Sequence, residues 1–302
     1  MPRRAPKHPD LAALLPSWEL HLRAERKSAA TVELYGRSVR AFLAWCQQEA
    51  TAPVLDRATV AAFVAGLLDQ GRSGATARAY QLGVRLFAAW LVEEGELRAD
   101  PLAGMKPPQL DEKVTPVLGP DQLKALLAAC QGKDLRDRRD EALVRLLTET
   151  GLRAGEVIAL QTNDVDLGTG TLLVARGKGG KGRLAPFGPQ TGRAIDRYLR
   201  LRRGHRLAAT PALWLGDRGK GLTYNGLYRA LAYRAELAGI KGFHPHVLRH
   251  TFAHRWKAAR GSEEGLMAVA GWRSRTMLAR YGASVAAERA ADEARGLGLG
   301  DL

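Results

Sequence analysis

Thr150-Gly151-Leu152-Arg153-Ala154-Gly155-Glu156 is the stretch from which the rest of the chain can be read. Before it, Asp137 to Thr148 repeats apolar residues at helical spacing, and Gly151 is suited to end that helix in the left-handed conformation, where a side chain would be strained. After it, a short helix is expected over Ala154 to Leu160. Two short strands follow, Thr171 to Ala175 and Arg183 to Pro186, around Arg176-Gly177-Lys178-Gly179-Gly180-Lys181-Gly182. This is the pattern of a hairpin with a basic, glycine-rich tip. The stretch therefore lies where a helical protein turns briefly to β structure.

Further along, helices are expected over Asp121 to Cys130, Gln190 to Arg203, Tyr224 to Ala238, His246 to Ala259, Glu264 to Val269, Thr276 to Tyr281 and Ala286 to Ala294. Toward the N-terminus the same periodicity marks Leu11 to Leu22, Val32 to Trp45, Val60 to Leu68 and Ala79 to Val92. Ser28 and Ser73 stand at cap or turn positions. A shift of 45 residues superimposes Ser28 to Trp45 on Ser73 to Trp90 with nine identities in eighteen positions, Arg40 on Arg85 among them. Two equivalent helices, or two amphipathic helices of like composition, account for it. Between these halves, Pro101, Pro107, Pro108 and Pro116 break the periodicity and suit an extended linker. The expected division is a helical domain over 1–106, a linker over 107–118 and a second domain over 119–302. The fold class is mainly α with a small β-hairpin or sheet in the C-terminal domain.

Composition narrows the function. Of 302 residues, 46 are Lys or Arg and 31 Asp or Glu, a formal charge of +15. Residues 1–105 hold 13 basic and 11 acidic side chains, leaving 33 against 20 for the remainder. An excess of this kind favours a polyanion, nucleic acid first. No run approaches the roughly 20 apolar residues of a membrane helix, and the first ten residues lack the apolar core of a secretion signal. A cytoplasmic, nucleoid-associated protein with no membrane partner is expected. Cys46 and Cys130 lack metal-ligand spacing and are read as small core residues, with neither a disulfide nor a zinc site.

The glycine-rich tip invites a phosphate-loop reading, but Gly182 and Arg183 follow Lys181 where a P-loop needs Ser or Thr opening a helix. A solvated turn, or a lysine pair aimed at a phosphodiester, remains. His244, His246, His250 and His254 are four of the seven histidines. Three of them share a helical face at four-residue spacing, yet no zinc-protease glutamate accompanies them and Arg249 would adjoin the cation. Neither metal nor cofactor is expected. His246-x-x-Arg249 places an imidazole and a guanidinium where both can reach one phosphate.

Joined to Thr150–Glu156 upstream, and to Gly271-Trp272 with Tyr281 nine residues on, that pair resembles the catalytic domain of the tyrosine recombinases, the phage-integrase family. The resemblance runs from Arg153 to Tyr281 and is compact and Xer-like. It implies that Arg153 and Arg249 are the catalytic arginines, Glu156 the companion of the first, Lys178 the catalytic lysine, His246 the histidine and Tyr281 the nucleophile. Trp272 stands where most members have histidine and a minority tryptophan. Indole donates one hydrogen bond and cannot carry a proton, which leaves it positioning or charge stabilisation. Lys181 and Arg183 become DNA contacts of the hairpin, and Arg40 and Arg85 contacts of a SAM-like core-binding domain.

The resemblance further implies site-specific strand cleavage and rejoining through a 3′-phosphotyrosine, without ATP or metal. Integration or excision of a phage or other mobile element is the first expectation, since Xer proteins usually carry histidine where Trp272 stands. Xer-type chromosome or plasmid dimer resolution is the alternative; a type IB topoisomerase and an inactive DNA-binding module fit less well. The implied partners are double-stranded DNA core sites, a homotetramer on two duplexes and, optionally, a directionality factor. With only some ten residues ahead of the first expected helix, no arm-site-binding domain is expected, and Ala286 to Ala294 is a candidate for docking between protomers.

Overall fold

The computed structural model describes residues 9–110, 116–174, 182–217 and 219–272, and residues 274, 278, 295 and 297. The chain divides into two compact units, Met1–Lys113 and Val114–Leu302.

The first unit contains helices α1 (Leu11–Ala24), α2 (Ala29–Gln48), α3 (Arg57–Asp69) and α4 (Gly74–Glu93). Each starts on a residue whose side-chain oxygen accepts from the first turn: Asp10, Ser28, Asp56 and Ser73. These oxygens satisfy amides that the helix itself leaves unpaired. The sequence repeat is visible here. Ser28 accepts from Thr31 N–H at 3.2 Å and Ser73 from Thr76 N–H at 3.2 Å, and both caps pair hydroxyl to hydroxyl with their threonine. Both helices run 20 residues. α2 and α4 approach so closely that a Cβ on Gly83 would meet Ser38 Cβ at 2.6 Å.

The core of this unit is aromatic. Trp18 lies against Phe87 at 5.0 Å between ring centroids and Phe42 meets Phe63 edge-on at 5.5 Å, separations favoured by the ring quadrupoles. After α4 the proline-bearing chain stays attached up to the start of the expected linker. Leu102 is fully buried and Gln81 donates to Lys106 O at 3.1 Å.

In the second unit, α5 (Pro120–Ala128), α6 (Leu135–Thr150) and α7 (Ala154–Ala159) precede a 3-10 turn and strands β1 (Val165–Asp166), β2 (Thr171–Val174) and β3 (Arg183–Pro186). Helices α8 (Pro189–Arg202), α9 (Tyr224–Leu237), α10 (Pro245–Ala258) and α11 (Glu263–Ala270) follow. The sheet is antiparallel in the order β1-β2-β3, with Val174 opposite Arg183 and Thr171 opposite Pro186. β1 extends the expected hairpin to three strands; two residues are too few to carry an alternation in sequence. The expected helices over Thr276–Tyr281 and Ala286–Ala294 lie outside the described residues as elements.

α6 runs through the centre of this unit, with Leu143, Leu146 and Leu147 completely buried. Tyr198 of α8 stacks on Trp214 at 5.1 Å, donates to Leu213 O and accepts from Leu215 N–H. Burial pushes its phenol up to about 12, so Tyr198 is a packing residue and a poor nucleophile. Charged groups also enter this core. Arg234 donates to Asp140 at 2.9 Å, to Asp137 at 2.7 Å and to Ala129 O at 2.8 Å. Arg202 donates to the carbonyls of Ala208, Thr210, Ala212 and Leu213. A buried guanidinium is tolerated only with such saturation of its donors.

Cys46 and Cys130 are buried free thiols, one in each unit. Among the described residues no helix is long and apolar enough to cross a membrane, and no cluster of three or more His, Cys, Asp or Glu is arranged to hold a metal.

Candidate active site

Three helix ends in the second unit supply the site. Gly151 closes α6 at φ 60°, and its N–H donates to Leu147 O at 3.1 Å. The position is closed to any side chain, because a Cβ there would lie 2.2 Å from the Phe252 ring. Two residues on, Arg153 is the N-cap of α7. Its backbone N–H donates to Glu156 Oε2 at 2.8 Å and its Nη1 to Oε1 at 3.1 Å. The Arg153 side chain remains 44% exposed, free to meet a ligand, while that of Glu156 is 10% exposed.

His246 and Arg249 share the first turns of α10, which starts at Pro245. Proline suits this position because its missing N–H would have no helical partner. Arg249 is 2% exposed. It donates to Gly151 O and, at 2.8 Å, to Ala270 O, tying the end of α6 to the end of α11. Its guanidinium carbon lies 5.4 Å from the centre of the Trp272 ring, a cation–π contact. Trp272 itself is buried with Phe252, Leu266, Ala270 and Leu278, and its backbone N–H closes the end of α11 on Met267 O at 2.9 Å.

His246 is exposed, with its ring edge-on to His250 at 5.5 Å. Loss of hydration against the surrounding protein, then the positive charges of Arg249, His244 and Arg153, hold its pKa below the usual histidine value. The imidazole is therefore kept in its neutral, proton-accepting form at pH 7. Arg153, His246, Arg249 and Trp272 are thus gathered by the fold. Lys178, Lys181 and Tyr281 lie outside the described residues.

Of the expected DNA contacts, Arg40 is half exposed and ion-paired to Glu19 at 2.6 Å and to Glu33 at 3.7 Å. Arg85 is half-buried, and its Nε is enclosed without a hydrogen-bond partner among the described residues. Arg183 is the third of the expected contacts that the structure describes. Instead of standing out from the hairpin it turns inward, with Nη1 and Nη2 on Glu156 at 3.0 and 2.8 Å and Nε on Val269 O at 2.9 Å. The sequence holds no direct signal for this, because the burial of Glu156 and the exposure of Arg153, which together call for a second cation, emerge only from the fold. A cavity of about 720 Å³ in the same unit, bordered by Val117, Leu123, Glu149 and His254, contains none of the candidate residues.

Residues 116–288 match the Phage integrase family, and residues 15–95 match its N-terminal SAM-like domain. The chain belongs to the phage integrase family of tyrosine recombinases. These enzymes are site-specific DNA strand transferases. Among curated relatives, tyrosine recombinase XerC of Azotobacter vinelandii is 34% identical over 240 residues, covering 77% of this chain and 78% of the relative. XerC of Pseudomonas aeruginosa is 34% identical over 243 residues, covering 77% of each. Among solved structures, XerH bound to a palindromic difH substrate superposes with a TM-score of 0.75 at 19% identity, covering 94% of this chain and 84% of that one. A lambda integrase dimer on a COC′ core site gives 0.70 at 18%, covering 90% and 76%. These likenesses establish the recombinase fold across both units.

Proposed function

We propose that the protein cleaves and rejoins DNA at core sites through Tyr281, with Arg153 and Arg249 holding the scissile phosphate. The observation that carries this reading is the convergence of Arg153, His246 and Arg249, with the imidazole kept neutral by its surroundings. A phosphodiester gathers charge on its non-bridging oxygens as a fifth ligand approaches, and fixed guanidinium donors stabilise that charge. Tyrosine has an unperturbed pKa of about 10, so Tyr281 needs an acceptor for its proton, and His246 takes that role in this reading. The Tyr281 oxygen–phosphorus bond forms as the phosphorus–O5′ bond breaks, and Lys178 protonates the departing 5′ oxygen. The phosphotyrosine conserves the phosphodiester, so attack by a free 5′ hydroxyl reverses both steps and restores His246 and Lys178.

Two solved neighbours are recombinases on DNA, and a further one is a lambda integrase tetramer on a Holliday junction. They support a tetramer of this chain on two duplexes; the reading adds Arg40, Arg85 and Lys181 as further DNA contacts. For the biological setting, Trp272 favours integration or excision of a mobile element. The XerC relatives, aligned over three quarters of the chain, favour dimer resolution. Footprinting on the DNA that flanks the gene separates the two by locating the site.

The chemistry is tested by covalent capture. Wild-type protein incubated with a randomised pool of nicked duplexes should give an adduct that survives a denaturing gel, and Tyr281→Phe should give none. Absence of a wild-type adduct, or its persistence in Tyr281→Phe, overturns the assignment.

A further inference from the structure

We infer that Arg183 is a positioning residue that holds Glu156 neutralised, so that the Arg153 guanidinium stays available to the phosphate. The inference rests on the catalytic reading given above for Arg153 and Arg249, and it replaces the role of a DNA contact for Arg183.

Both oxygens of Glu156 carry two donors. Oε1 receives Arg183 Nη1 and Arg153 Nη1, and Oε2 receives Arg183 Nη2 and the Arg153 backbone N–H. Fork-to-fork pairing of this kind is the strongest geometry between guanidinium and carboxylate. The Arg183 side chain is 15% exposed and the Arg153 side chain 44%. The buried arginine therefore compensates the carboxylate, and the exposed one makes a single side-chain contact with it. Burial opposes ionisation of Glu156, but the bonds from Arg183 and Arg153 hold its pKa below the usual carboxylate range. Without Arg183, a mostly buried anion would have Arg153 as its nearest cation, and the two would close on each other. Arg153 would then be diverted from substrate.

Arg183 also links the elements that carry the other site residues. It opens β3, next to the 175–181 segment that contains Lys178. Its Nε holds Val269 O at the last turn of α11, one residue before the carbonyl that takes Arg249 and three before Trp272. Gly271, at φ 66°, packs so tightly on this guanidinium that a Cβ would lie 2.8 Å from its central carbon. One side chain thus sets α7, β3 and the end of α11 against one another.

The test uses full-length protein and a nicked duplex of the sequence that wild type captures covalently. Arg183→Gln should slow single-turnover adduct formation about 100-fold, the scale of a misplaced catalytic group. Its DNA affinity and the slope of that affinity with salt should stay at wild-type values. The decisive variant is Arg183→Gln with Glu156→Gln, in which no anion remains to capture Arg153. It should cleave faster than Arg183→Gln alone and match Glu156→Gln. A double variant as slow as Arg183→Gln, or slower, overturns the inference and leaves Arg183 as packing. A salt slope reduced by about one, as loss of a phosphate contact requires, overturns it in favour of DNA binding. Should Arg183→Gln fail to fold by circular dichroism, Arg183→Lys takes its place: it keeps the charge, loses the fork, and should be slowed less and rescued by the same Glu156→Gln change. A wild-type protein that forms no adduct refutes the catalytic reading instead, so the two failures are distinguishable.

Discussion

The two units bury different chemistry. Among the described residues of the first, the buried polar side chains are Ser38 and Gln81, and the core is closed by Trp18, Phe42, Phe63, Phe87 and Trp90. The second buries Arg139, Asp140, Glu141, Arg202, Arg234 and Arg249. Rings hold the first unit together by area and shape, which tolerate small displacements. Guanidinium groups hold the second by directed bonds to carbonyls and carboxylates, which fix distances. If Arg153 and Arg249 hold one phosphate, as proposed, the second kind of packing serves that placement better. The contrast also redistributes the positive charge. Part of the excess beyond residue 105 is consumed inside the protein, by Arg139, Arg183, Arg202 and Arg234, so fewer cations face a polyanion than the sequence count suggests.

The largest expected effect is at Arg249, where fold and chemistry coincide. Arg249→Gln should reduce adduct formation about 100- to 1000-fold, the usual consequence of removing a transition-state donor. The thermal midpoint should fall as well, because the carbonyls of Gly151 and Ala270 lose their donor. Full stability with lost cleavage would show that the carbonyl bonds contribute nothing to the fold. Next comes the aromatic core. Trp18→Ala should destabilise by about 3–5 kcal/mol, with faster hydrogen exchange confined to α1–α4. Loss of protection throughout α6–α10 would break the separation of the two units.

The pH profile gives a smaller effect. In the proposed mechanism His246 accepts a proton, and its pKa is held below the ordinary histidine value in the folded protein. The rate should therefore hold as pH falls through 6.5 and decline only at lower pH. His244→Gln removes one of the neighbouring positive charges and should move that decline upward, whereas an unmoved limb would exclude His246 as the titrating group. Stability runs in parallel: the unfolded chain takes up the His246 proton first, so this group's contribution is complete above pH 6.5 and is lost as pH falls toward the folded pKa. The smallest effects are at the repeated caps. Ser28→Ala and Ser73→Ala should each cost about 1 kcal/mol by chemical denaturation, and unequal costs would show that the likeness of α2 and α4 is confined to sequence.

Much of this was legible before any coordinates. Gly151 was readable as a left-handed helix end because few residues tolerate that conformation, and α2 and α4 were readable because apolar spacing survives any packing partner. The arginine interior was not. A charged residue in a helix such as α6 is expected on the surface, and only the placement of Asp137 and Asp140 against Arg234, a pairing across some hundred residues, brings it inside. The inward turn of Arg183 is illegible for the same reason. Alternation along four strand residues does not say which face meets α7, and a basic residue beside a glycine-rich tip suggests solvent.

The two cysteines have a practical consequence. Both thiols are buried, and burial pushes Cys130 up to about 12 and Cys46 above its ordinary value. Only thiolates react readily with maleimides, so the native protein presents an unreactive background. A single cysteine introduced at Lys124 or Glu49, both exposed, should accept a fluorophore without prior removal of either native thiol. Such a dye would then report DNA binding to one unit at a time, from a position chosen in that unit.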